Sequence, residues 1–80
     1  MLYLDVRTKE EFATGHYPDA VNIPVEQIMQ GTFPDVSKDF EITVYCKSGA
    51  RASIAQQLLK RAGFQNVTNG GGLDDLLHKQ

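Results

Sequence analysis

The sequence holds a single cysteine among its 80 residues. That excludes an internal disulfide and a cysteine-rich zinc site, though not chemistry at the thiol itself. Histidine is nearly as scarce. His16 and His78 stand far apart with no ligand pattern near either, so no metal site is expected. No charge of one sign dominates: eight Lys or Arg face ten Asp or Glu, a formal net charge of -2 with His neutral. Such a balance gives no general pull toward nucleic acid or anionic lipid. Aromatic residues interleaved with a basic stripe, the mark of a single-strand binder, are also missing. No apolar run nears the roughly 18 residues that cross a bilayer, and Met1-Leu2-Tyr3-Leu4 is too short for a signal-peptide core. Neither a nucleic-acid partner nor a membrane is therefore expected. The expected location of the chain as written is cytoplasmic, or periplasmic if an upstream signal segment is missing.

What is present fits one small folded domain spanning residues 1–80, since natural domains peak near roughly 100–150 residues. Apolar residues make up 41% and charged residues 22% of the chain, a globular balance. A chain this short buries only about 60–65% of its unfolded surface, so the core must be thin.

Leu2 to Val6 reads as a buried strand. Thr8 is placed to cap a helix and Glu11, three residues on, to close a capping box. Gly15 to Asp19 interrupts that helix, and Arg7 and Glu11, four apart, are candidates for an ion pair. Ala20 to Ile23 forms a short strand that Pro24 ends, and Val25 to Gln30 supplies a helical turn or two. Gly31 to Asp35 is a loop from which Phe33 is expected to tuck against the core. Ile42 to Cys46, β-branched and aromatic, is the best strand. Ile54, Ala55, Leu58, Leu59 and Ala62 define the apolar face of the best helix, with Gly63 as its left-handed cap and Phe64 packing back. Val67 begins a very short strand, Asn69 to Gly72 a bend, and Leu73, Leu76 and Leu77 pattern a terminal helix. Strands alternating with helices predict an α/β fold with a small parallel sheet. Such sheets bind ligands beyond the carboxyl ends of their strands.

The segment Cys46-Lys47-Ser48-Gly49-Ala50-Arg51 occupies that position, between the best strand and the best helix. A turn there can aim successive backbone N–H groups and the helix dipole at one point. A thiolate at that point gains hydrogen bonds and a positive field, which lowers a cysteine from about 8.5 to roughly 3.5–7.5 in comparable sites. Cys46 is thus the candidate nucleophile in an anion-binding nest. Arg51 in the first helical turn opposes the helix dipole, so its placement calls for a reason. Lys47 and Ser48 at the crest can steer and hydrogen-bond an anion. Asp5, at a strand end, is expected to be a buried carboxylate that ties down loop N–H groups. His16 is expected to be a hydrogen-bonded structural histidine, and His78 to have no role.

These residues resemble the single-domain rhodaneses, a family of sulfurtransferases. Leu4-Asp5-Val6-Arg7 with Glu10-Glu11-Phe12 resembles the family's opening motif, and Gly15 through Pro24 its second signature. Val44 through Ala52 resembles the active-site loop, and Gly63-Phe64 through Val67 to Gly71-Gly72-Leu73 the closing segment. The similarity runs over nearly the whole chain and looks most like the small bacterial members of the phage-shock-protein E type. It implies a three-layer α/β/α fold around a five-stranded parallel sheet. Here the Asp-Val-Arg motif starts almost at Met1, so the domain is expected to be N-terminally shortened. The tryptophan that many relatives carry after the Gly-Gly pair is absent, with Leu76 nearby instead.

The resemblance further implies that Cys46 takes the sulfane sulfur of thiosulfate or a persulfide donor and passes it to cyanide or to a small-molecule or protein thiol. Lys47, Ser48, Gly49, Ala50 and Arg51 would hold the persulfide and substrate anion, and Asp5 and Arg7 would support the loop. No cofactor is implied, and the chain is expected to act as a monomer. Two rivals stand beside this reading. One is a cysteine-dependent phosphatase or arsenate reductase; related phosphatases place one more residue between cysteine and arginine, whereas here the two are separated by Lys47, Ser48, Gly49 and Ala50. The other is a non-catalytic rhodanese-like protein-binding module, which the presence of Cys46 disfavours.

Overall fold

The computed structural model describes residues 1–78 and alternates strands with helices. The order is β1 (Leu2–Asp5), α1 (Lys9–Ala13), β2 (Val21–Asn22), α2 (Val25–Met29), β3 (Ile42–Cys46), α3 (Ala50–Arg61), β4 (Val67–Gly72) and α4 (Leu73–Leu77). All strand pairs are parallel, in the order β2-β1-β3-β4. The sheet has four strands among the described residues, not the five implied by resemblance.

Side chains alternate between the two faces of a strand. Leu4 and Val6, with Ile42, Val44 and Cys46, point to the face covered by α2 and α3, and with Ile28, Ala55, Leu59 and Phe64 they form the core. Burying an aliphatic side chain of this size contributes about 1.5–3 kcal/mol. On the other face, Thr43 and Leu76 of α4 both close on Gly70, completing the third layer. Tyr45 on this face is wholly buried, and its hydroxyl accepts the Tyr17 N–H at 2.9 Å. Burial pushes that phenol up to about 12, so it stays a neutral hydroxyl.

Two local expectations change and a third holds in part. Ile54 is 48% exposed; Ala52, Ala55 and Leu59 form the buried stripe of α3. At 3.6 residues per turn Ile54 lies about 100° around from Ala55, off that stripe. Phe33 does tuck its ring edge-on against Phe64 of the core, with centroids 6.1 Å apart, but stays 37% exposed, while neighbouring Pro34 is buried. Residues 69–72, expected as a bend after a very short strand, remain part of β4. Val44 pairs with Asn69 but Cys46 with Gly72, so β4 carries an extra residue there. A bulge of this kind re-aims a strand without ending it, and a run of glycine tolerates it. The capping box at Thr8 and the turn at Gly63, with Phe64 buried behind it, form as expected.

Candidate active site

β3 ends at Cys46 and α3 begins four residues later at Ala50. The connection is this tight because Gly49, the residue before α3, sits at φ 97°, a left-handed conformation that a side chain would strain. No side chain caps α3, which leaves its first N–H groups free for another acceptor. The Sγ of Cys46 fills that place. It accepts the Gly49 N–H at 2.9 Å, and Cys46 is only 1% exposed. Burial pushes the thiol up, but hydrogen bonds from the N–H groups of Ala52, Ser48, Gly49 and Arg51 outweigh it and hold Cys46 below its ordinary value.

The loop is buttressed from β4. A Cβ on Gly72 would overlap the carbonyl oxygen of Lys47, so only glycine fits that approach. Asn69 bridges the two segments: its amide donates to the Gly49 carbonyl at 3.2 Å and its oxygen accepts the Gly71 N–H at 2.8 Å. The Asp75 carboxylate accepts the Gly72 N–H at 3.0 Å. Asn69 was not among the residues expected from sequence, although three consecutive glycines beside it signal a close backbone approach.

Ion pairs run differently from expectation. Arg7 does not pair with Glu11. Its guanidinium donates to Asp5 from Nε at 3.0 Å and Nη2 at 2.7 Å, and its backbone N–H reaches the same carboxylate at 2.9 Å. Asp5 thus ties down the turn that follows β1, and its hydrogen bonds do not extend to residues 47–51. Two residues apart, Asp5 and Arg7 meet because both belong to the same side of the chain leaving the sheet. Glu11 instead takes Arg51 in a bidentate pair, Nη1 to Oε1 at 2.7 Å and Nη2 to Oε2 at 3.1 Å. The hydrogen bonds from Arg51, then that from the Thr8 backbone, pull the Glu11 carboxyl down to about 2. Its position in the capping box was the available clue, since a carboxylate fixed there can also serve a distant cation.

Arg7, Glu11, Thr14, Lys47, Leu73 and Asp74 line a cleft of about 290 Å³ beside the loop. Lys47 and Ser48 are exposed at the crest, and Lys47 has no ion-pair partner among the described residues. His16 donates from Nδ1 to the Phe12 carbonyl, 2.9 Å away, and stacks on the Phe12 ring. That is a local structural contact away from the nest. The His78 side chain bonds to the Asp74 carbonyl in α4.

This arrangement has relatives. A family described as rhodanese-like domain matches residues 1–76. Thiosulfate sulfurtransferase PspE of Escherichia coli is 32% identical over 75 residues, covering 92% of this chain and 72% of PspE. Adenylyltransferase and sulfurtransferase UBA4 of Saccharomyces cerevisiae is 35% identical over 81 residues, covering 89% of this chain but only 18% of its own length. The human single-domain sulfurtransferase TSTD1 superposes with a TM-score of 0.85 at 28% identity, over 99% of this chain and 82% of that one.

Proposed function

The chain belongs to the rhodanese-like domain family, and from that membership we propose that it is a thiosulfate sulfurtransferase carrying sulfur as a persulfide on Cys46. The observation that carries the proposal is the nest at Cys46, where a buried sulfur accepts the Gly49 N–H and lies before the uncapped first turn of α3. A thiolate is the nucleophilic form of cysteine, and backbone N–H donors stabilise it.

In the proposed reaction the Cys46 thiolate attacks the outer sulfur of thiosulfate. The new Sγ–S bond forms as the S–S bond of thiosulfate breaks, and sulfite leaves with the bonding electron pair. The backbone donors that held the thiolate then face the persulfide. An acceptor, cyanide or an external thiolate, attacks the outer sulfur and returns Cys46 to its thiolate. With one cysteine in the chain, the persulfide has no internal thiol to resolve it. Lys47 and Ser48 at the crest steer the anion toward the nest, Gly49 and Ala50 keep the turn tight, and Arg51 anchors its helical end. Asp5 and Arg7 support the cleft wall.

The depth of Cys46 also favours this chemistry over phosphoryl transfer. The thiol of Cys46, a residue only 1% exposed, is reached more readily by the terminal sulfur of thiosulfate than by a phosphorus shielded by oxygens. Identity to PspE spread over 92% of the chain supports kinship with that small bacterial type.

The test is turnover with thiosulfate and cyanide, measuring sulfite and thiocyanate together. The wild-type protein is expected to release them in equal amounts, and Cys46→Ser at background. Arg51→Ala is expected to lose more turnover than Lys47→Ala. Phosphate-ester hydrolysis without sulfur transfer would overturn the proposal.

A further inference from the structure

We propose that Glu11 is a positioning residue of this site, holding the first turn of α3 through its bidentate pair with Arg51 so that the Gly49 N–H and the uncapped start of α3 stay aimed at the Cys46 Sγ. The inference rests on the reading of Cys46 as sulfur carrier and extends it to a residue forty positions away in sequence from its partner.

The start of α3 has reason to fray. Gly49 offers no capping side chain, and Arg51 places a cation in the turn where the helix dipole is positive. Left alone, both features favour movement of the N–H groups that face the sulfur. The Glu11 carboxylate answers both, neutralising Arg51 and fixing its fork with two hydrogen bonds. Glu11 is itself held in place. Its Oε1 accepts the Thr8 backbone N–H at 3.1 Å and the Thr8 hydroxyl at 3.2 Å. The anchor is therefore ordered before it binds Arg51, and little side-chain freedom is lost in forming the pair. Helix α1 buries no residue, so Glu11 can be altered without opening the core.

Charge and position make opposite predictions, which renders the proposal decidable. A carboxylate near a thiolate disfavours it. If only the Glu11 charge mattered, removing it would make Cys46 more acidic. If Glu11 matters by keeping the donors aimed, removing its hold makes Cys46 less acidic.

The experiment is the pH dependence of Cys46 alkylation by iodoacetamide, a neutral probe, in the wild type, Glu11→Gln, Arg51→Gln, the double variant and Thr8→Ala. The glutamine keeps an oxygen for Thr8 while removing the charge. The expected result is a rise in the thiol midpoint of about half a unit in Glu11→Gln, roughly threefold less thiolate below the midpoint. In the Arg51→Gln background the same change is expected to give no further rise, because its route runs through Arg51. Thr8→Ala, which loses the hydroxyl contact but keeps the backbone N–H to Glu11 and leaves the pair, is expected to shift the midpoint less than Glu11→Gln. A fall or no change in Glu11→Gln would overturn the proposal, as would additivity with Arg51→Gln or a Thr8→Ala shift equal to that of Glu11→Gln. These midpoints are independent of sulfur transfer. A wild type that takes no sulfur from thiosulfate would refute the carrier reading, while the alkylation series would still decide the role of Glu11.

Discussion

Replacing Asp5 with alanine tests how the fold holds the one buried ion pair among the described residues. Asp5 is fully buried and Arg7 is 7% exposed. Their pairing joins one carboxylate to a guanidinium and a backbone N–H. Without Asp5, the Arg7 side chain keeps only the Gly15 carbonyl, at 2.7 Å. Removing one partner of a buried pair costs about 3–5 kcal/mol because the other charge is left uncompensated. An 80-residue domain at about 0.05–0.15 kcal/mol per residue has roughly 4–12 kcal/mol in total. Asp5→Ala is therefore expected to remove about a quarter or more of the stability. The assay is urea denaturation with linear extrapolation. The companion is Asp5→Val with Arg7→Met, which removes both charges and leaves one backbone N–H as the main unpaired group. It is expected to recover a clear part of the loss. A cost below about 1 kcal/mol for Asp5→Ala, or a double variant no more stable than the single one, would refute the reasoning.

Three further outcomes follow from the same contacts. Gly72→Ala drives a methyl group into the Lys47 carbonyl; it should cost about 1–3 kcal/mol as overpacking and slow Cys46 alkylation, and wild-type values of both would contradict the buttress. The Glu11 carboxyl is held down to about 2 from an ordinary 4.5, so its contribution is fully present above about pH 4.5 and fades as pH falls toward 2. An NMR titration of that side chain should show the low midpoint, and a midpoint near 4.5 would mean the Arg51 pair does not persist in solution. Tyr45→Phe removes the acceptor of the Tyr17 N–H and should cost about 1 kcal/mol; a neutral effect on the urea midpoint would show that water replaces it.

Much of this architecture was legible in local sequence. The Thr8–Glu11 capping box, the glycine stop at Gly63 and the β-branched run at Ile42–Cys46 each state their structure within a few residues. The nest at Cys46 was legible for the same reason, since strand end, glycine and helix start are contiguous. What escaped was long-range. Glu11 looked equally suited to Arg7, four residues off, because spacing alone cannot show that Arg7 is already taken by Asp5. Asn69 acts on Gly49 across the β3–β4 interface, a contact that exists only once the sheet has formed. Ile54 falls within helical spacing of the apolar face yet lies at its edge, off the buried stripe of Ala52, Ala55 and Leu59, because spacing alone does not show how wide a stripe the sheet covers.

The central claim is that Cys46 takes up and releases a single sulfur atom, and intact mass tests it most directly. After incubation with thiosulfate the wild-type protein should gain the mass of one sulfur, and on addition of cyanide it should return to its starting mass. Cys46→Ser should show no gain. A wild type that gains nothing, or a Cys46→Ser protein that gains the same mass, would contradict the account.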